Sequence, residues 1–167
     1  MKRFIYLIIM LALEISAQET PKVIFSTNPV STVAMPAFFS SLFFKLGSEY
    51  VVDQNHGVGF DASYTKITDY MHFIDGSLKY YMYKESPTHG TYSAGALDVI
   101  YANKISENHT TLVLSGMAYC GKRWDLKSYL IGFDGGVGMM VAAINQNSSK
   151  SSVSPVVNVD IYVGKGF

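Results

Sequence analysis

The stretch Val153-Ser154-Pro155-Val156-Val157-Asn158-Val159-Asp160-Ile161-Tyr162-Val163-Gly164-Lys165-Gly166-Phe167 alternates with a period of two. Val153, Pro155, Val157, Val159, Ile161 and Val163 fall on one face, while Ser154, Asn158, Asp160, Tyr162, Gly164 and Gly166 dominate the other. Side chains along a strand point alternately to opposite sides, so the pattern predicts a strand between two different environments. Phe167 lies in phase with the apolar face.

The same period recurs upstream. Val58, Phe60, Ala62 and Tyr64 oppose Gly57, Gly59, Asp61, Ser63 and Thr65. In the segment 129–141, Tyr129, Ile131, Phe133, Val137, Met139 and Val141 oppose Gly132, Asp134, Gly136 and Gly138. A helix would scatter these residues around its circumference, and each interior glycine would weaken it by about 1 kcal/mol relative to alanine. Phe44, Leu46 and Tyr50 oppose Lys45, Gly47 and Glu49; Ile74, Leu78, Tyr80 and Met82 oppose Asp75, Ser77 and Lys79. Segments 92–102 and 111–124 have strand composition with ambiguous phase. A first strand is expected from about Lys22 to Val33, interrupted by Asn28-Pro29 because proline cannot donate to a ladder.

Polar punctuation separates these segments. Tight connections are expected at 53–56, 85–90 and 125–127, and longer ones at 34–37, 66–70, 103–109 and 145–152. The three histidines outside the strands (His56, His89 and His109) fall in these connections. Eight strands in one domain are predicted, at a spacing that suits an up-and-down membrane barrel, whose tilted strands need roughly 9–11 residues to cross the hydrocarbon.

Of the 167 residues, 13 are Lys or Arg and 13 are Asp or Glu, which argues against a nucleic-acid partner. The single cysteine, Cys120, excludes an internal disulfide, and no Cys/His cluster suggests a metal site. At the N-terminus, Met1-Lys2-Arg3 precedes an apolar run from Phe4 to Leu13 and then Glu14-Ile15-Ser16-Ala17-Gln18. Residues 1–17 read as a secretory signal peptide, too short to span a bilayer, with residues 18–167 forming the barrel domain. No later stretch offers the roughly 20 apolar residues of a membrane helix, so a place in lipid requires a closed sheet.

Alternation leaves open which face is inside. A soluble barrel would enclose an apolar ligand and expose the charges; a membrane barrel is inverted. Aromatics at strand ends (Tyr50, Tyr64, Tyr80, Tyr81, Tyr83, Tyr101, Tyr119, Trp124 and Tyr129) favour the membrane reading, in which they form interfacial girdles. The inward set is then Lys45, Glu49, Asp61, Asp75, Lys79, Asp134 and Asp160, expected to form a structural charge network because an unpaired buried charge is costly. Lys45 and Lys79 are its cationic centres, with Arg123 as a third candidate.

The segment 157–167 resembles the terminal strand of bacterial outer-membrane barrels, whose final aromatic residue is part of the signal read by the assembly machinery. That resemblance gives Phe167 the role of an assembly signal. Leu46-Gly47-Ser48-Glu49-Tyr50 and Lys79-Tyr80-Tyr81-Met82 are similar to strand ends of the small eight-stranded outer-membrane proteins of the DUF3575-like and OmpA-like barrel class. Lys165 departs from the strongest terminal signature. Some barrels of this general class carry out acyl transfer or lipid deacylation with His, Ser and an acidic residue. Here His72 and Asp75 face opposite sides of one strand, so His72, Asp75 and Ser77 do not make a triad.

The expectation is therefore an all-β, eight-stranded antiparallel up-and-down transmembrane barrel in a bacterial outer membrane. It is expected to be structural or accessory, without catalytic residues, metal or cofactor. Its expected partners are outer-membrane lipid, the assembly machinery during biogenesis and an unidentified protein. A secreted soluble barrel binding a small apolar ligand, and a narrow channel, are the alternatives.

Overall fold

The computed structural model describes residues 22–28, 41–67, 71–104, 109–145 and 152–167. The expected signal peptide, the expected connection at 34–37 and the later part of the expected first strand lie outside them.

Eight strands follow in chain order: β1 Val23–Thr27, β2 Ser41–Val51, β3 His56–Ile67, β4 Met71–Tyr83, β5 Gly90–Lys104, β6 His109–Asp125, β7 Leu130–Asn145 and β8 Ser152–Gly166. Each pairs antiparallel with its sequence neighbours, and β1 pairs with β8 from Ile24↔Gly166 to Thr27↔Val163. The sheet is thus a closed up-and-down barrel, sealed between β1 and β8 over those four described pairs. No described helix is long and apolar enough to cross a membrane.

The tight connections share one end of the barrel with the Phe167 terminus. Lys22 N–H donates to the Phe167 carbonyl and Phe167 N–H to the Val23 carbonyl, each at 2.9 Å. Between β2 and β3, Asn55 N–H donates to Asp53 Oδ1 at 2.7 Å. Between β6 and β7, Lys127 adopts φ 70°, held by its N–H on Asp125 Oδ1 at 2.8 Å. His56 and His109 open β3 and β6 rather than lying in connections, because ladder pairing extends to them: His56↔Met82 and Lys104↔His109.

Burial alternates as the sequence does, and its sense is inverted relative to a soluble protein. Val157 is 73% exposed and Leu97 68%, whereas Asp134 and Arg123 are each 3% exposed. Inward glycines make room for tyrosines on neighbouring strands. A Cβ on Gly132 would meet the Tyr162 ring, and one on Gly136 the Tyr119 ring, each directly across the ladder.

This arrangement corrects the expected girdle. Tyr50, Tyr80, Tyr101, Trp124 and Tyr129 are on the exposed face, but Tyr81, Tyr83 and Tyr119 are buried inside. Tyr81 and Tyr83 share the phase of Lys79, so the pleat that turns Lys79 inward takes them with it. Position near a strand end does not decide the matter; phase does.

Candidate functional site

The lumen is built in layers from inward positions of all eight strands. At the turn end, Arg123 of β6 meets Glu49 of β2 as a two-pronged pair: Nη1 to Oε1 at 2.8 Å and Nη2 to Oε2 at 2.5 Å. The planar guanidinium fits the carboxylate plane, which a lysine would not. Two of its three remaining donors are also used. Nη1 reaches the Pro87 carbonyl at 2.6 Å and Nε the Tyr162 hydroxyl at 2.7 Å. Tyr83 donates a third hydrogen bond to Glu49. The rings of Tyr92, Tyr81, Tyr83 and Tyr162 surround the guanidinium, with centroids 4.6–5.7 Å away. Cation–π attraction of this kind strengthens when water is excluded.

The middle layer is a chain of alternating charge. Lys79 Nζ lies 2.7 Å from Asp61, Lys45 Nζ 3.3 Å from the same carboxylate, and Lys45 Nζ 2.5 Å from Asp160. Asn28 donates to Asp160 as well. Tyr92 donates to Asp134 at 2.7 Å and lies 3.1 Å from the Tyr162 hydroxyl, which joins this layer to the arginine. The free volume here is only about 20 Å³, room for about one water.

Beyond it, toward the other end, the lumen widens into a chamber of about 190 Å³. Lys45, Asp61 and Lys79 form its floor; Asp75, Ser77, Asp98 and Ser115 stand in its wall. Ser115 donates to Asp98 at 2.7 Å, and Ser63 approaches Asp75 at 3.5 Å, too long to hold it strongly.

All seven inward residues named from the sequence therefore line the lumen, but they do not form one cluster. Lys45, Asp61, Lys79 and Asp160 are ion-paired together, Glu49 pairs with Arg123, Asp134 is held by Tyr92, and Asp75 stands apart in the chamber. Arg123, rather than either lysine, is the most heavily coordinated cation. Asp98 and Tyr92 were missed because the phase of β5 was ambiguous, and Tyr81 and Tyr83 because their place at the end of β4 read as girdle; Tyr162 already shared the face of Asp160. The signal was present in Leu97, Val99 and Tyr101, which are exposed and turn Asp98 inward.

No other chemistry-bearing group assembles among the described residues. His72 lies on the outer side, with Nδ1 2.6 Å from the Tyr64 hydroxyl, while Asp75 and Ser77 face inward. His56 and Asp53 pair at 3.0 Å in the turn before β3, and this bond holds the Asp53 carboxyl below the ordinary carboxylate range. Phe167 packs edge-on against Phe25 at 6.1 Å, with the Lys165 ammonium 5.0 Å from its ring.

No protein-family model, curated protein or solved structure matches the chain. The likeness to known proteins accordingly rests on the architecture of a closed eight-stranded barrel, and assignment to the DUF3575-like or OmpA-like class has no support from these comparisons.

Proposed function

We propose that the chain is a structural or accessory barrel of a bacterial outer membrane, non-enzymatic, which maintains the envelope or serves as a small subunit of a larger outer-membrane assembly. The observation that carries this reading is the inversion of burial. Leu97, Val99, Val137, Val157 and Val159 stand exposed, while among the described residues six carboxylates and three cations line the lumen. In water such a surface is an aggregation liability; in lipid it is the required one. Strands β2 to β8 run 11 to 17 residues, enough for the roughly 9–11 that a tilted strand needs to cross the hydrocarbon. Tyr50 and Tyr80 share one row of the outer face and Tyr101 a second, farther row, as two interfacial belts require.

The charged lumen weighs against a soluble barrel for an apolar ligand. The packing of Arg123, Glu49 and four tyrosines across the turn end weighs against a channel.

The test is fractionation. An embedded barrel stays with the outer membrane through high-salt and alkaline washes, leaves only with detergent, and shifts on gels between unheated and heated samples. Release into buffer without detergent contradicts the proposal.

A further inference from the structure

The inward charges do not balance. Among the described side chains lining the lumen, three are cations (Lys45, Lys79 and Arg123) and six are carboxylates (Glu49, Asp61, Asp75, Asp98, Asp134 and Asp160). Every cation is engaged: Arg123 on Glu49, Lys79 on Asp61, and Lys45 on Asp61 and Asp160. No described ion pair reaches Asp75 or Asp98.

These two carboxylates are neighbours in the sheet. Asp98 pairs across the ladder with Ser77 on one side and Ser115 on the other, and Asp75 is one inward position from Ser77 on β4. Both face the 190 Å³ chamber. Ser77, only 4% exposed, lines the same chamber, and its hydroxyl has no hydrogen-bond partner among the described residues. Asp75 Oδ1 is likewise buried without one. Leaving a buried hydroxyl and a carboxylate oxygen unsatisfied is unfavourable, and two like charges across a small chamber add repulsion.

We propose that the chamber binds a hydrated divalent cation between Asp75 and Asp98, with the Ser77 hydroxyl turned toward its water shell. Asp75, Asp98 and Ser77 offer only oxygens, the ligands of hard cations such as Mg²⁺ and Ca²⁺. No group of three or more His, Cys, Asp or Glu side chains gathers as a metal cage among the described residues. The ion therefore keeps most of its water, a mode natural to Mg²⁺, which is commonly held through one or two carboxylates. The chamber has room for those waters, and the bound charge offsets two of the three surplus negative charges. The site rests on the closed barrel and not on where the barrel resides.

Mn²⁺ is the probe, because its free form is read directly by electron paramagnetic resonance. With the full mature barrel folded in zwitterionic detergent, wild type is expected to take up one Mn²⁺ per chain, displaced by excess Mg²⁺. Asp75→Asn and Asp98→Asn, each near-isosteric and checked for folding by heat-modifiable migration, weaken uptake at least tenfold. Ser77→Ala weakens it several-fold, while Asp53→Asn, in an exposed turn, leaves it unchanged. Absence of uptake by the folded wild type overturns the site, as does uptake that Asp75→Asn and Asp98→Asn leave intact. Both readouts are made in detergent, so failed membrane fractionation would leave them standing.

Discussion

Arg123 and Glu49, on strands far apart in sequence, close the turn end of the lumen through two parallel hydrogen bonds of 2.8 and 2.5 Å. Both side chains are almost wholly buried, so each would be an isolated charge without the other. Removing one partner of such a pair costs about 3–5 kcal/mol, whereas replacing both by apolar residues is often nearly neutral. Arg123→Met is therefore expected to destabilise the barrel by about that amount, and Arg123→Met with Glu49→Leu to recover at least about half of it. Urea unfolding in lipid vesicles, followed by the fluorescence of the single tryptophan, Trp124, measures both.

A second expectation concerns the inward glycines. A Cβ at Gly132 collides with the Tyr162 ring, whereas one at Gly95, on the exposed face, meets nothing within 4 Å. Gly132→Ala should destabilise by about 1–3 kcal/mol, the usual range for overpacking. Gly95→Ala should be neutral or slightly stabilising, since it reduces the freedom of the unfolded chain. Equal effects of the two substitutions would show that the tyrosine does not rest on Gly132.

The turn before β3 gives a pH dependence with a defined sign. The His56 ring nitrogen, 3.0 Å from the Asp53 carboxylate, and the Asn55 amide both favour its charged form, so its folded value lies below the ordinary 3.8. A group lowered on folding contributes above its unfolded value and loses that contribution as pH falls through its folded value. The turn should thus hold its structure down to about pH 4 and loosen below it. Carbon-detected NMR titration of Asp53 reports its midpoint, and a midpoint above 3.8 would reverse the sign.

Filling of the turn end carries a further expectation. Planar bilayers containing the wild-type barrel should show no steady unitary current. Arg123→Ala with Glu49→Ala removes the two groups that span the lumen and should produce small, resolvable steps. Steady current through the wild type would require a path past Arg123.

Phe167 separates packing from biogenesis. Its ring contacts Phe25 on β1, while its backbone pairing with Lys22 and Val23 does not need the ring. An assembly role for Phe167 predicts that Phe167→Ala leaves refolding into detergent nearly unchanged but lowers the assembled barrel in cells several-fold. Equal losses in both settings would reduce Phe167 to a packing residue.

What was legible in the sequence follows from phase. Where apolar and polar residues alternate cleanly, as in Val153–Val163 and Val58–Thr65, strand, face and inward charge were all readable, because strand side chains admit only two directions. Asp98 was not, since Ala94, Gly95 and Ala96 blur the contrast in β5. The tyrosines misled for a physical reason: their apolar bodies suit lipid, while their hydroxyls suit the interior. Tyr81 and Tyr83 use those hydroxyl-bearing rings around Arg123 and Glu49. Which carboxylate meets which cation is set by register across four or more strands, and no local pattern encodes it.

The inverted surface is tested most directly at Val157, at mid-strand in β8 and 73% exposed. With Cys120 changed to Ser and a nitroxide attached at Val157→Cys in vesicles, the account predicts frequent collisions with dissolved oxygen. Collisions with a water-soluble nickel chelate should be rare. A label reached freely by the nickel chelate and poorly by oxygen would place this face in water and contradict the membrane barrel.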